Sequence, residues 1–248
     1  MELEIGVQER GRILAGDRMR REMRMKLPTC NDVETRMARR GVRLAALSLL
    51  LLATPASAQA GGAAGSARRT AKAAAERAAF TKKLVAAAVD RAKVRVRYVA
   101  DYVRIPYPGG DVPAGTGVCT DEIIRIYRQV GVDLQKEVHE DMARDFAAYP
   151  RRLTRPDPNI DHRRVPNLMA FFARRGEALP ITGDPADYLP GEVVAWDLQA
   201  GHIGMVVEQR DPSGQRRLIF HNVGQGPRIE DALFEWKVIG HYRYYGPA

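Results

Sequence analysis

Apolar residues at helical spacing occupy the first half of the chain. Phe80, Leu84, Val85 and Val89 predict an amphipathic helix from about residue 70 to residue 90. The same spacing predicts three further helices, over residues 120–129, 133–148 and 165–175. Residues 94–99 alternate with period two and predict a short strand.

The apolar period changes to that of β-strands after Pro190. Four strands are predicted, over residues 192–198, 202–209, 216–223 and 238–245. Helices followed by antiparallel strands predict an α+β domain in which N-terminal helices pack on a small antiparallel sheet. The intervening stretch 150–166 carries four prolines and much charge, which predicts an extended surface excursion, with a lid over a cleft as one hypothesis.

The N-terminal part resembles a secretion signal in its three-part pattern. Residues 37–58 comprise a basic start, an apolar core of about ten residues and the small-residue end Ala56-Ser57-Ala58. A membrane span needs about 20 apolar residues, so this core predicts cleavage near Ala58. We therefore expect a periplasmic or secreted protein with no stable membrane insertion after cleavage.

Residues 1–36 lack an apolar period and would place the signal inside the chain. The simplest interpretation is that the start codon has been assigned too early and that translation begins at Met37 or Met25. The alternative is an anchored protein whose basic tail stays cytoplasmic. Residues 59–92 are then a Gly/Ala/Ser leader, expected to be disordered, followed by the amphipathic helix. We expect residues 93–248 to form one folded domain, to which the candidate catalytic residues described below belong.

The net charge of the chain excludes few classes of function. The chain carries a net charge of +9, but its basic residues are dispersed and not interleaved with aromatic ones. This pattern does not indicate nucleic-acid binding. Mild basicity suits a protein that works near an anionic cell wall.

Cys119 is the candidate nucleophile, because the predicted export separates it from the other cysteine, Cys30. It follows the flexible loop Gly115-Thr-Gly-Val118 and opens the helix that begins near residue 120. A helix N-terminus and a nearby imidazole lower a thiol's pKa from about 8.5, and the thiolate is the reactive form. Backbone N–H groups of the same helical turn are available for an oxyanion.

Two histidines lie on predicted strands downstream of the thiol. If the strands carrying His202 and His221 pair as a hairpin, His221 reaches the far nitrogen of the His202 ring and fixes its tautomer. Cys119, His202 and His221 would then act as nucleophile, base and orienter. Asn222 is the second candidate for orienter, although it should point to the opposite face.

Simpler interpretations of the same residues stay open. Cys119 could be a small buried apolar side chain, and either histidine could be structural. A zinc site formed by Cys119, His202 and His221 would lack closely spaced ligand pairs. The order of loop, cysteine helix, Pro-Gly turn and two histidine strands favours catalysis, for which no metal or cofactor is required.

This order resembles the papain-like cell-wall peptidases of the NlpC type. The matching segments are Gly117-Val-Cys119, Pro190-Gly-Glu-Val-Val-Ala-Trp196, Gly201-His-Ile-Gly204 and Phe220-His221. Glu192 replaces the usual Asp, and Cys119-Thr-Asp replaces the usual Asp-Cys-Ser-Gly. The resemblance implies a papain-like NlpC-type fold and a cysteine peptidase or amidase. Its implied substrate is a peptidoglycan stem peptide or cross-link.

Residues 95–245 also resemble a second family, the domain of unknown function numbered 1287. Four segments carry this match: Tyr107-Pro-Gly-Gly-Asp-Val-Pro113, Val138-His-Glu-Asp-Met142, Pro156-Asp-Pro-Asn-Ile-Asp-His-Arg-Arg-Val-Pro-Asn167 and His221-Asn-Val-Gly224.

Further polar residues are candidates for substrate binding. His162 would line a groove or lie in a solvated loop, and Asp121 would bind a substrate amine or stabilise the helix start. Asp197 lies at a strand end and Asn222 beside His221, so both are placed to shape the cleft. An acyltransferase using the same site, or a non-catalytic wall-binding module, are the rival functions.

Overall fold

A computed structural model describes residues 57–150 and 154–247, with side chains from residue 65 onward. The predicted extension 1–36 and almost all of the predicted signal peptide lie outside these residues. Within the described part, no helix combines the length and the apolar character that crossing a membrane requires.

Helix α1 covers Ser57–Arg91 and is longer than the sequence pattern predicts. The expectation of a disordered leader over residues 59–68 is therefore wrong for the described structure. These residues contain several alanines, the best helix formers, and neither proline nor a β-branched residue interrupts them. The C-terminal half of α1 buries Leu84, Val85 and Ala88 in the core.

Three shorter helices follow, α2 (Cys119–Gln129), α3 (Leu134–Arg144) and α4 (Val165–Arg175). The predicted bounds of α4 are confirmed, with Pro166 accommodated in its first turn. The predicted cap of α3 is also confirmed, since the Asp133 carboxylate accepts hydrogen bonds from the backbone N–H groups of Gln135 and Lys136. However, α3 ends before residue 148.

A six-stranded antiparallel sheet forms the other layer, in the order β3-β8-β4-β5-β6-β7. Its strands are β3 (Glu177–Ala178), β4 (Val193–Trp196), β5 (His202–Arg210), β6 (Arg217–His221), β7 (Arg228–Glu230) and β8 (Val238–Arg243). A separate parallel pair joins β1 (Arg97–Tyr98) to β2 (Thr116–Gly117). Strands β3 and β7 are too short to show an alternating pattern, so the sequence did not reveal them.

The central strands are buried on both faces. One set of alternate residues, including Ile203 and Met205, belongs to the large core that also contains residues of the helices and Cys119. The other set, including Trp196 and Val206, packs with Tyr188 in a second core. The sheet therefore places the start of β5 between two apolar layers, and the fold is the α+β class that the pattern predicts.

The excursion over residues 150–166 is only partly a surface segment. Asp161, His162 and Arg163 form a buried 3-10 turn, so the prediction of a solvated loop is wrong for these three residues. Proline content correctly excludes long regular elements there, but it does not report burial. Residues 151–153 lie outside the described part of the chain.

Candidate active site

Cys119 is the first residue of α2 and is almost completely buried, with 4% of its surface exposed. The preceding N–H group, that of Val118, donates a 2.7 Å hydrogen bond to Asp121. Backbone N–H groups at the start of a helix have no acceptor within the helix, and the Asp121 carboxylate supplies one for Val118. The chain therefore enters α2 in one defined conformation, which fixes the position of the thiol.

Burial is the main influence on the thiol. It raises the pKa of Cys119 to about 11, although hydrogen bonds from the Ile203 backbone, the Tyr98 hydroxyl and the Thr120 backbone act in the opposite direction. The expectation that a helix N-terminus and an imidazole lower this pKa is therefore wrong for the described state. Cys119 is a neutral thiol at neutral pH.

The two predicted histidine strands form the expected hairpin. Gly204 of β5 pairs with His221 of β6. His202 lies two residues before Gly204, so the side chains of His202 and His221 lie on the same face of the sheet as diagonal neighbours. Nε2 of His202 lies 2.8 Å from Nδ1 of His221. Nε2 of His221 in turn lies 2.7 Å from a carboxylate oxygen of Glu230 on β7. The ring contact that hairpin pairing predicts is present, and Glu230 extends it by one residue. We call His202, His221 and Glu230 the relay.

Hydrogen-bond directions in the relay follow from the acceptor at its end. The Glu230 carboxylate only accepts, so Nε2 of His221 carries a proton. Nδ1 of a neutral His221 then accepts, and Nε2 of His202 donates. These steps assign a neutral His202 with its lone pair on Nδ1, the nitrogen that a general base needs.

Burial also keeps both rings neutral. It lowers the pKa of His202 to about 3, with a smaller contribution from His221. Burial lowers the pKa of His221 as well, against the raising effect of Glu230. The site at neutral pH therefore contains a neutral thiol and neutral imidazoles, instead of a thiolate–imidazolium pair.

The thiol approaches the relay through the backbone of β5. The Ile203 backbone lowers the pKa of the thiol, which indicates that the sulfur lies near the residue that follows His202, and α2 packs against β5. Among the hydrogen bonds of the described residues, none joins Cys119 directly to the His202 ring. The His202 ring packs against Trp196 and Trp236 on the side of the second core, whereas Cys119 belongs to the large core, so the nucleophile and the base are not in contact in this state.

A cavity of about 230 Å³ opens on the thiol. Its walls include parts of β1, the first turn of α2, α3, the 3-10 turn, the start of α4 and the turn before β5. The residues used below are Tyr98, Cys119, Thr120, Arg164, Asn167 and Gly201. A reacting group of a substrate would reach Cys119 through this cavity.

The buried 3-10 turn fixes the start of α2 from the side. Arg163 binds both carboxylate oxygens of Asp121 at 2.8 and 3.1 Å, and its carbonyl accepts a 3.0 Å hydrogen bond from the Thr120 hydroxyl. Both Asp121 oxygens are thus engaged by protein groups. Of the two predicted roles for Asp121, this geometry matches stabilisation of the helix start.

The segments that carry the resemblance to the second family account for this arrangement. His139 lies 2.8 Å from Asp161, and the Asn167 side chain donates to the Asp161 carbonyl. On the other side of α3, Asp141 binds Arg174, Arg175 and Tyr149. These contacts join α3, the 3-10 turn and α4, so much of the motif serves to hold the residues around Cys119.

The remaining predicted binding residues lie at different places. His162 is buried, and burial lowers its pKa to about 3, which does not match a solvated loop. Asn222 is buried, and its Nδ2 has no hydrogen-bond partner among the described residues. Asp197 is exposed and does not line the 230 Å³ cavity; neither His162 nor Asn222 lines it.

Sequence reasoning missed Tyr98, Glu230 and Arg163. Tyr98 belongs to the alternating stretch 94–99, but nothing in that pattern connects it with Cys119. Glu230 lies in a three-residue strand. The Arg163–Asp121 pair joins residues 42 positions apart, a separation that local patterns do not encode.

The described residues contain no cluster of three or more His, Cys, Asp or Glu side chains arranged to hold a metal ion. The zinc alternative therefore lacks a ligand set in this part of the chain.

Comparison with known proteins agrees with the second resemblance. The family model described as a domain of unknown function, DUF1287, matches residues 85–244, which is more than half of the chain. The chain is also 51% identical over 152 residues to the uncharacterized protein YijF of Escherichia coli strain K12, covering 60% of this chain and 74% of that relative. The family match shows that the chain belongs to the DUF1287 family.

Proposed function

We propose that this protein is an exported cysteine hydrolase of papain-like, NlpC-type architecture. It cleaves an amide bond, in peptidoglycan stem peptides or cross-links, through a thioester acyl-enzyme. The resemblance of the cysteine and histidine segments to NlpC-type peptidases supports the reaction class. The N-terminal signal pattern supports the periplasm or exterior as the place of action. Proteins of one fold act on many substrates, so the choice of peptidoglycan as the substrate is an inference from the resemblance.

One observation carries the proposal. A cysteine at a helix N-terminus opens on a cavity, and its helix packs on β5, the strand that carries His202. Hydrogen bonds of 2.8 and 2.7 Å along the relay assign the free lone pair of His202 to Nδ1. Burying polar groups costs free energy, so we would expect apolar side chains at these positions in a core with a purely structural role.

The reaction begins when Cys119 Sγ attacks the carbonyl carbon of the amide. The thiol proton passes to Nδ1 of His202, which then gives it to the leaving nitrogen as the C–N bond breaks. The acyl group remains on sulfur as a thioester. Water then attacks, His202 takes a proton from it, and the released thiol recovers that proton as the carboxylic acid product departs.

Neutral resting groups shape this mechanism. The thiol pKa is about 11 and the His202 pKa about 3, so transfer of the proton from the thiol to His202 before substrate binds is strongly unfavourable in free energy. Attack and proton transfer must therefore be coupled, and a bound substrate must bring sulfur and Nδ1 together. N–H groups at the start of α2, which lack helical partners, are placed to stabilise the oxyanion.

Two other functions use the same residues. An acyltransferase would resolve the thioester with an amine instead of water. A wall-binding module would keep the fold and the cavity without turnover. The alternation of donors and acceptors along the relay favours catalysis, because binding alone does not require a defined tautomer at His202.

The decisive experiment compares the wild-type protein with Cys119→Ala and Cys119→Ser on purified peptidoglycan. Released muropeptides are identified by mass, with and without an added amine such as glycinamide. We expect soluble peptides from the wild type and at least a 1000-fold slower release from Cys119→Ala. Amine adducts in place of hydrolysis products would support the transferase, and equal products from all variants would overturn the role of Cys119.

A further inference from the structure

The cavity beside Cys119 is lined by a partly buried cation that no described acidic residue neutralises. Arg164 lines the cavity, and its Nε is buried without a hydrogen-bond partner among the described residues. The neighbouring Arg163 also lines it but is bound to Asp121. No Asp or Glu stands among the described residues that line this cavity.

An unpaired buried donor is an expensive feature in a folded protein. Arg164 lies immediately before α4 and its side chain borders the same space as the thiol. A guanidinium presents a planar fork of donors that matches a carboxylate in geometry and charge. A carboxylate of the substrate would supply the missing acceptor.

The start of α2 has the same polarity. The cavity is bordered by Thr120, a first-turn residue of this 11-residue helix. The N-terminal end of a helix carries partial positive charge and unpaired N–H groups. The start of α4 adds little, because Pro166 has no N–H group and the Asn167 N–H donates to the Arg164 carbonyl. The end of α2 and Arg164 therefore act together on one small space.

The size of the cavity limits the occupant. A volume of about 230 Å³ lies below the roughly 300–1000 Å³ of pockets that take drug-sized ligands. It suits one small amino-acid residue instead of a saccharide or an extended peptide.

From these observations we propose that Arg164 determines substrate specificity by binding a free carboxylate on the residue next to the scissile amide. This inference rests on the proposed function, because it names the substrate class of the same site. It predicts a preference for peptides that end, or branch, in a carboxylate one residue from the bond that is cut.

Binding is measured with the Cys119→Ala protein, which separates recognition from turnover. The probes are acetyl-L-lysyl-D-alanyl-D-alanine and its C-terminal carboxamide, in isothermal titration calorimetry. We expect the carboxylate peptide to bind about 10- to 100-fold more tightly, the range of a charge-assisted hydrogen bond. Adding Arg164→Gln should abolish this preference, and Arg164→Lys should retain part of it.

Arg104→Gln is the matched control, since Arg104 is exposed and does not line this cavity. It removes the same charge and should keep the preference. Thermal melts establish that each variant is folded before binding is compared. An unchanged preference in folded Arg164→Gln would overturn the assignment. Equal competition by millimolar inorganic phosphate would also overturn it, because the site would then bind anions in general.

The two proposals fail separately. If Cys119→Ala prefers the carboxylate peptide but the wild type releases nothing from peptidoglycan, hydrolysis of the wall is wrong and the carboxylate site stands. If the wild type releases peptides but both probes bind equally, the carboxylate site is wrong and hydrolysis stands.

Discussion

Two histidine–carboxylate pairs lie on the same sheet and have nearly the same local geometry. His221 and Glu230 join β6 to β7, and His241 and Glu192 join β8 to the turn before β4, each with a nitrogen–oxygen distance of 2.7 Å. The difference between them lies in what the other atoms of each group contact. That difference separates a structural cluster from the candidate catalytic one.

The His241 pair is closed by protein on every side. Nδ1 of His241 donates to the Pro180 carbonyl at 2.9 Å, and Arg243 binds the second oxygen of Glu192. Both members are about 1% exposed at their side chains. Burial opposes the charge of Glu192, but hydrogen bonds from His241, the Leu189 backbone and Arg243 outweigh it and lower the pKa of this carboxyl.

The relay is open at both ends. The Glu230 side chain is 39% exposed, and Nδ1 of His202 is the ring nitrogen that His221 does not use. One end faces solvent, and the other lies on β5, the strand against which the thiol-bearing helix packs. A histidine whose nitrogens are both bound by protein has no capacity for proton transfer, whereas the His202 ring keeps one nitrogen for a substrate or a thiol.

The largest expected contrast comes from replacing one histidine of each cluster. His202→Asn removes the base and should lower turnover by about 1000-fold. His241→Asn breaks the buried hydrogen bonds of His241 to Glu192 and to the Pro180 carbonyl and should lower the free energy of unfolding by about 3 kcal/mol. Its turnover per folded molecule at 25 °C should stay within about twofold of the wild type.

Muropeptide release and urea denaturation of the two variants test this contrast. The opposite pattern, with His241→Asn inactive while folded and His202→Asn active, would show that the two clusters have been assigned the wrong way round. The Cys119→Ala protein supplies the background rate for both assays.

A smaller contrast follows from neutralising the two carboxylates. Glu230→Gln keeps an acceptor for Nε2 of His221 but removes the charge, so we expect turnover to fall about 5- to 10-fold. Its stability should change by less than about 0.5 kcal/mol, since Glu230 is partly exposed. Glu192→Gln leaves Arg243 with only the exposed Glu177 as a charge partner and should cost about 2–4 kcal/mol.

Chemical denaturation and steady-state rates on the same preparations check both values. Nitrogen-15 spectra of His202 provide a readout that a merely structural role for Glu230 would not change. The ring should carry its proton on Nε2 in the wild type. The same tautomer in a Glu230→Ala protein with unchanged activity would contradict the role of the relay.

The two clusters should also differ in their response to pH. Between the His202 pKa of about 3 and the thiol pKa of about 11, the catalytic groups stay neutral, so turnover should be nearly flat from about pH 5 to 9. A preformed thiolate–imidazolium pair would instead give a bell-shaped profile. A bell with both limbs inside this range would contradict the neutral assignment.

Stability should respond to pH through Glu192. Its pKa in the folded protein lies below the ordinary value of 4.5, so the folded state binds fewer protons than the unfolded state as pH falls. The stabilisation is complete above about pH 5 and is lost on further acidification. Asp141, with a pKa lowered to about 2 because its bonds to Arg174, Tyr149 and Arg175 outweigh burial, adds to the same loss. Denaturation midpoints at pH 4 and pH 7 should show a smaller difference in Glu192→Gln than in the wild type.

Local patterns predicted most of the regular elements and the hairpin that joins His202 to His221. Periodicity locates long amphipathic segments, and the Cys119 helix and the bounds of α4 follow from it. Local patterns could not predict the pKa of Cys119, because whether this pKa is raised or lowered depends on how deeply α2 and β5 bury the thiol. Sequence identifies a residue type at a helix start, but burial decides whether the thiol is ionised there.

The closed cluster illustrates the same limit. Glu192 stands where NlpC-type sequences usually carry Asp, and His241 lies in the last strand with no distinguishing pattern. Only the register of β4 against β8, with Val194 opposite His241, brings the two together. Long-range pairing of this kind depends on tertiary structure, so two similar histidines could not be separated by their local sequences.

The smallest expected effect concerns Asp197, which the sequence predicted as a residue of the cleft. Trp196 and His202 pack with their ring centroids 5.6 Å apart, and Asp197 follows Trp196 but is exposed. Asp197→Asn should change the free energy of unfolding by less than about 0.5 kcal/mol and turnover by less than about twofold. The variant serves as the control for Glu230→Gln, because both remove one exposed carboxylate near the histidine strands. A loss of turnover above tenfold would mean that the open region extends past Trp196 and that substrate approaches His202 from the second core as well as from the cavity beside Cys119.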